Sequence, residues 1–168
     1  PMIPLGGSID LKVYLTKKDK AYPRQTITAS LLAPDNTYAE SELKTDSAGQ
    51  AIYHFIAGDD RPTGFYTLVF HHRGTNMAKA VYVDVVDKKT YAAFEKAAAK
   101  AKFAKLPVHI LHFGDSLSDY FRGRNFIDKV GYWLRKTNGP TVTIKNAGVG
   151  GDTIRRVIHR MDKKPGVH

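Results

Sequence analysis

Apolar and polar residues alternate with a period of two from residue 9 to about residue 86. In IDLKVYLT the positions Leu11, Val13 and Leu15 share one face, and the same alternation runs through QTITASLLA, QAIYHFIA, GFYTLVFHH and MAKAVYVDVV. Successive side chains of a strand point to opposite faces, so this period predicts half-buried strands. Turn chemistry separates the runs: Ala33-Pro34-Asp35-Asn36, Asp46-Ser47-Ala48-Gly49, Gly58-Asp59-Asp60-Arg61-Pro62 and Arg73-Gly74-Thr75-Asn76. Roughly six or seven short strands, with turns about every 8–12 residues, predict an antiparallel β-sandwich over residues 1–87. That length can bury a modest core of its own.

The period changes after residue 87. Residues 88–106 are rich in alanine and lysine and have high helix propensity. Tyr91, Phe94, Ala98 and Lys102 fall on one side at three- and four-residue spacing. Asp87 or Thr90 supplies a cap at the start, and Pro107 ends the segment. The reading is a helical, basic linker whose six lysines form a solvated face.

Residues 107–168 read differently again. Val108-His109-Ile110-Leu111-His112-Phe113 is a strand, followed at once by Gly114-Asp115-Ser116-Leu117-Ser118. Phe126, Ile127, Val130, Trp133 and Leu134 mark the apolar face of a helix that Asn138-Gly139-Pro140 closes. Thr141 to Lys145 form a second strand. A glycine-rich turn leads from it into a helix with Ile154, Val157 and Met161 inward. Strand, helix, strand, helix is an α/β unit with parallel strands. A serine at a sharp turn after a strand is held out at the sheet edge beside backbone N–H groups. The glycine-rich turn after the second strand comes to the same edge, an arrangement suited to stabilising an oxyanion.

These two turns carry a resemblance. Gly114-Asp115-Ser116-Leu117-Ser118 resembles the first sequence block of the SGNH (GDSL) hydrolases. Asn146-Ala147-Gly148-Val149-Gly150-Gly151-Asp152-Thr153 resembles their second block. The sandwich lies outside this similarity. It resembles, in strand pattern only, the immunoglobulin-like and macroglobulin-like sandwiches of secreted proteins. The resemblance implies an all-β sandwich followed by an incomplete flavodoxin-like α/β domain. By position, Ser116 is the implied nucleophile, and the N–H groups of Ser116 and Gly151 are implied oxyanion donors. Asp115 is implied to fix the turn and Asn146 to secure the loop. The family's further Gly-x-Asn-Asp block and its Asp-x-x-His block, which brings the base histidine and its aspartate, do not occur here. His109, His112 and His159 are expected to be structural, and His168 to be mobile. The resemblance implies no metal and no organic cofactor.

Charge separates the same halves. Residues 1–87 hold 9 basic and 10 acidic residues, and residues 88–168 hold 17 and 6. The basic half favours an anionic polymer as partner. Arg122, Arg124, Arg135, Arg155, Arg156 and Arg160 offer phosphate contacts, but no nucleic-acid-binding module is recognisable, so nucleic acid is not the expected partner. His71-His72 does not chelate a metal, because neighbours on a strand face opposite ways. Hydrophobic residues at 42% and charged residues at 25% are globular proportions, which exclude wholesale disorder. No apolar run is long enough for a membrane-spanning helix, no signal peptide is visible, and the absence of cysteine excludes disulfides.

The leading expectation is an exported serine esterase, an acetylesterase in kind, acting on acylated carbohydrate or cell-wall polymer. Its base histidine and third oxyanion donor would come from a C-terminal remainder of the same polypeptide, separate or missing. The open second edge of the apolar strand 108–113 points the same way. The alternative is a non-catalytic carbohydrate-binding or adhesion module with a truncated hydrolase domain.

Overall fold

The computed structural model of the chain describes residues 1–119 and 125–162. The chain divides into two units, Pro1–Ala92 and Ala93–His168.

The first unit is a β-sandwich. One layer is a five-stranded sheet of β1 (Met2–Pro4), β5 (Thr26–Leu32), β6 (Tyr38–Lys44), β8 (Gly64–His72) and β9 (Ala78–Val86), in the order β1-β9-β8-β5-β6. Its pairs are antiparallel except β1 on β9, which is parallel. The second layer pairs β2 (Ser8–Tyr14) with β7 (Gln50–Ile56). The small ribbon of β3 (Thr16–Lys17) and β4 (Lys20–Ala21) follows β2. This unit thus has nine strands, against the six or seven expected. The five alternating runs form β2, β5, β7, β8 and β9, and β1, the two ribbon strands and the exposed edge strand β6 lie outside them.

The core forms where the inward positions of the two layers meet. Ile27, Ala29 and Leu31 come from β5, Tyr66, Leu68 and Phe70 from β8, and Val83 and Val85 from β9. Ala51 and Phe55 of β7 oppose them, with Ile9, Leu11 and Val13 of β2 packed alongside. Phe55 meets Tyr66 edge-on at 5.2 Å, and Tyr53 meets Phe70 at 5.8 Å. Small alanines opposite large rings let the layers interdigitate. The hydroxyl of Tyr66 is not stranded in this core, because it donates to the Pro62 carbonyl at 2.8 Å. His72 is buried and His71 partly exposed. His72 is held by Thr75 and Gln25.

Helix α1 (Lys88–Ala98) follows. Asp87 caps it, its carboxylate accepting from the Thr90 amide and hydroxyl. The hydroxyl bond first and the amide second hold the Asp87 carboxyl below its ordinary value. The helix expected over residues 88–106 stops at Ala98. The reason is Asn138, whose side chain takes over the backbone of the next stretch. It accepts from the Phe103 amide at 2.8 Å and donates to the Ala101 carbonyl at 2.8 Å.

The second unit is a βαβ unit with a further helix. Strand β10 (Val108–His112) and strand β11 (Val142–Asn146) run parallel, with His112 opposite Asn146. Helix α2 (Phe126–Asn138) crosses between them. Asn125 caps its start, and Gly139 ends it with its amide on the Arg135 carbonyl. Ile127 and Trp133 are buried, whereas Phe126 and Val130 of the expected apolar face are exposed. Phe94 lies parallel to the Trp133 ring at 6.1 Å.

Helix α3 (Ile154–Met161) departs from expectation more sharply. Ile154 is 82% exposed and Met161 62% exposed, so neither is inward. The face that turns in is instead set by Val157 and Arg160, three residues apart and both partly buried. Arg160 decides this rotation. Its guanidinium donates to the Ala147 carbonyl at 2.8 Å and pairs with Asp152. A short helix tied down by an ion pair need not bury its apolar side. Arg122, Arg124 and His168 lie outside the described residues.

Candidate functional site

The candidate site lies where β10 and β11 end side by side. After β10 the chain makes a 3₁₀ turn, Ser116–Ser118. Asp115 caps it: its carboxylate accepts from the Leu117 amide at 3.0 Å and its carbonyl from the Ser118 amide at 3.1 Å. Ser116 is the first residue of this turn and is half-buried. Ser118, two residues on, is buried.

The glycine-rich loop after β11 is bonded to this turn along its length. The Asn146 amide group donates to the Ser118 carbonyl at 2.8 Å, while its oxygen accepts from the Gly148 amide at 2.9 Å. The Val149 amide donates to the Gly114 carbonyl at 2.9 Å. The Gly150 amide donates to the Asp119 carboxylate at 2.7 Å. Three of these bonds join one loop to the other and the Asn146–Gly148 bond braces the glycine-rich loop internally, which rigid placement of a reacting group requires.

Close approach explains two of the glycines. A Cβ at Gly148 would stand 2.4 Å from the Ser118 carbonyl oxygen. A Cβ at Gly114 would stand 2.0 Å from Ser118 Oγ and 2.9 Å from His112 Nε2. Gly151 is of another kind. No described residue lies within 4 Å of its Cβ position, but its φ is +74°, where L side chains are strained. Neither the Ser116 amide nor the Gly151 amide donates a hydrogen bond to a described residue. All other loop amides from Ala147 to Asp152 are engaged.

The histidines are placed as follows. His109 Nδ1 is 2.7 Å from Thr143 Oγ1. His112 meets Phe126 edge-on at 5.6 Å, and its Nε2 is buried without a partner among the described residues. His159 is exposed on α3. A histidine–carboxylate pair, His54 on Asp10 at 2.5 Å, belongs to the sandwich unit, across the outer face of β2 and β7. Among the described residues no group of three or more metal-ligating side chains is gathered, and no helix is long and apolar enough to cross a membrane. A cavity of about 500 Å³ adjoins the 3₁₀ turn. Its wall is largely apolar, with Phe113, Leu117, Phe126, Val157 and Ile158, and Ser118 and His112 also line it.

Sequence reasoning missed Asp119, Ser118 and Arg160 as parts of this arrangement. Asp119 is bonded to Gly150 across 31 positions. Only the parallel pairing of β10 and β11 brings the two together, and no local pattern announces it.

No protein-family profile matches the chain, and no curated protein does. Among solved structures it is similar to trypsin-activated α-2-macroglobulin from Escherichia coli, at 20% identity and a TM-score of 0.44, over 50% of this chain and 6% of that one. It is also similar to Salmonella α-2-macroglobulin reacted with methylamine, at 19% identity and 0.45, over 51% and 6%. Amylomaltase from Corynebacterium glutamicum is matched at 9% identity and 0.37, over 70% and 16%. The chain spans only 6% of the length of those macroglobulins.

These findings overturn the resemblance to the SGNH (GDSL) hydrolases. No family profile, that of these hydrolases included, matches residues 107–168 or any other part of the chain. The two sequence blocks have a local physical cause. Asp115 is there as a turn cap, Asn146 as a tie between loops, and Gly114 and Gly148 because a Cβ would strike Ser118. Two strand-to-helix turns packed against each other demand these residue types whatever the ancestry.

Proposed function

We propose that Ser116 is the nucleophile of an ester hydrolase. The observation that carries this reading is the pair of backbone amides, Ser116 and Gly151, without acceptors among the described residues, on two loops that Asn146 locks together. Unengaged N–H groups held rigid at a strand end are what a developing oxyanion needs. Ser116 Oγ attacks an acyl carbonyl, and the oxyanion accepts from the two amides. A histidine takes the serine proton and delivers it to the leaving alcohol, and water then releases the acyl group. The apolar cavity beside the turn has room for the acyl part.

The base histidine, its aspartate and a third oxyanion donor come from a further segment of polypeptide. That segment adds strands beside β10, which pairs only with β11 among the described residues, and so completes a flavodoxin-like sheet. The substrate is an acylated carbohydrate or cell-wall polymer, met outside the cytoplasm. The immunoglobulin-like sandwich either holds that polymer or spaces the catalytic unit from it. A second reading, a non-catalytic carbohydrate-binding module, is favoured by one observation: no described histidine in the second unit is paired with a carboxylate.

The test is hydrolysis of p-nitrophenyl acetate by the natural polypeptide that contains these residues, with and without Ser116→Ala. Loss of turnover with an unchanged circular dichroism spectrum supports the nucleophile. Full turnover in the variant removes Ser116 from the mechanism, and no turnover in either protein favours the binding module.

A further inference from the structure

A second cavity, of about 670 Å³, opens between α2 and β11 and is not used by the Ser116 reading. Its size is that of a small-molecule site. Three cations line it, Arg135, Lys145 and Arg160, against one acid, Asp128.

Two of these cations have no evident structural work. Arg135 stands in the last turn of α2, where a cation ordinarily serves the unsatisfied carbonyls. Arg135 is not used that way: two carbonyls of this turn are served by other groups, Arg135 O by Gly139 N and Leu134 O by the Asn138 side chain. The Arg135 guanidinium instead folds back along the helix over Gly131. A Cβ there would stand 3.2 Å from Nη1 and 3.5 Å from Nη2. Glycine inside a helix is unfavourable, and here it is the residue that leaves the guanidinium its place. Neither Arg135 nor Lys145 forms an ion pair with a described residue.

Arg160 adds an independent observation. Two of its nitrogens are engaged, by Ala147 and Asp152, but its Nε is buried without an acceptor among the described residues. A buried cationic donor left unmet is costly, and an anion is the natural acceptor.

We propose that this cavity binds a small organic anion, a carboxylate- or phosphate-bearing molecule of about the size of a sugar acid. Arg135 is the principal contact, with Lys145 supplying charge and Arg160 lining the inner wall. The proposal stands whether or not Ser116 is a nucleophile.

Isothermal titration calorimetry of the full chain at low ionic strength tests it, with sodium glucuronate and inorganic phosphate as probes. Saturable binding of either is expected, and the tighter of the two identifies the carboxylate or the phosphate source. Arg135→Gln is expected to weaken binding about tenfold or more, the usual effect of losing a charge-assisted bond. Gly131→Ala is expected to weaken it as well, although alanine favours the helix. Ser116→Ala is expected to leave it unchanged. Two results overturn the proposal: neither probe saturates, or affinity survives Arg135→Gln in a protein that melts like the wild type. Should Arg135→Gln fail to fold, unchanged affinity in Gly131→Ala overturns it.

Discussion

Gly148→Ala separates steric from conformational reasons for the glycine-rich loop. A Cβ at this position would stand 2.4 Å from the Ser118 carbonyl oxygen, 2.8 Å from its carbonyl carbon and 2.8 Å from its Oγ. Two of the three neighbours are backbone, so no rotamer change relieves the contact. The loop must withdraw from the 3₁₀ turn. Overpacking of this kind costs about 1–3 kcal/mol. Withdrawal also stretches the bond from Asn146 to Ser118, worth about 1 kcal/mol. Against this, replacing a glycine reduces the entropy of the unfolded chain and stabilises by about 0.4–1 kcal/mol. The clash wins, with a net loss of about 2 kcal/mol. The chain has one tryptophan, Trp133, which is buried in α2. Its fluorescence during urea unfolding therefore reports on the second unit. With a slope of about 2 kcal/mol/M, the midpoint should fall by about 1 M. Gly151→Ala is the control. It meets no described residue within 4 Å, so its positive φ is what opposes the change, at about 1–2 kcal/mol. A midpoint for Gly148→Ala equal to or above the wild type would refute the packing argument.

Asn138→Ala should release residues 99–107, because it removes bonds to the Phe103 amide and the Ala101 carbonyl. A loss of about 1–3 kcal/mol is expected, and the Phe103 amide should lose hydrogen-exchange protection while amides of β8 keep theirs. In the sandwich, burial pushes the Tyr53 and Tyr66 hydroxyls above the ordinary tyrosine value, with Arg61 opposing this more weakly. The folded state therefore holds these protons more tightly than the unfolded one. Stability from this source is intact below the ordinary value and is lost as pH rises through the raised one. Alkaline titration at 295 nm should show late-ionising phenols, and Tyr66→Phe should remove one of them.

The strands were legible where one face is buried and the other wet. Leu11, Val13, Ala51, Phe55, Tyr66, Leu68 and Phe70 all stand where the alternation places them. The edge strand β6 was not, because nearly every residue from Tyr38 to Lys44 is exposed and no period results. The helix after residue 87 was readable in its start, where Asp87 caps it, but not in its end. That end is decided by Asn138, about 40 positions away in sequence. The rotation of α3 was illegible for a related reason. Ile154, Val157 and Met161 look like an inward face until the pairing of Arg160 with Asp152 is seen. In the site, the turn residues carried a clear local signal, and that same signal suggested a family that the comparisons do not bear out. Packing two strand-to-helix turns together selects for glycine, aspartate and asparagine, so the motif reports geometry before ancestry.

The central claim is that the Ser116 and Gly151 amides are presented together to one oxyanion. The most direct measurement is a ¹H–¹⁵N spectrum of the labelled chain titrated with butylboronic acid, a tetrahedral oxyanion mimic. The expected result is that both amide protons move downfield on one saturable curve, and that Ser116→Ala abolishes the movement. If only one amide moves, or if Ser116→Ala responds as the wild type does, the two loops do not form a shared oxyanion site.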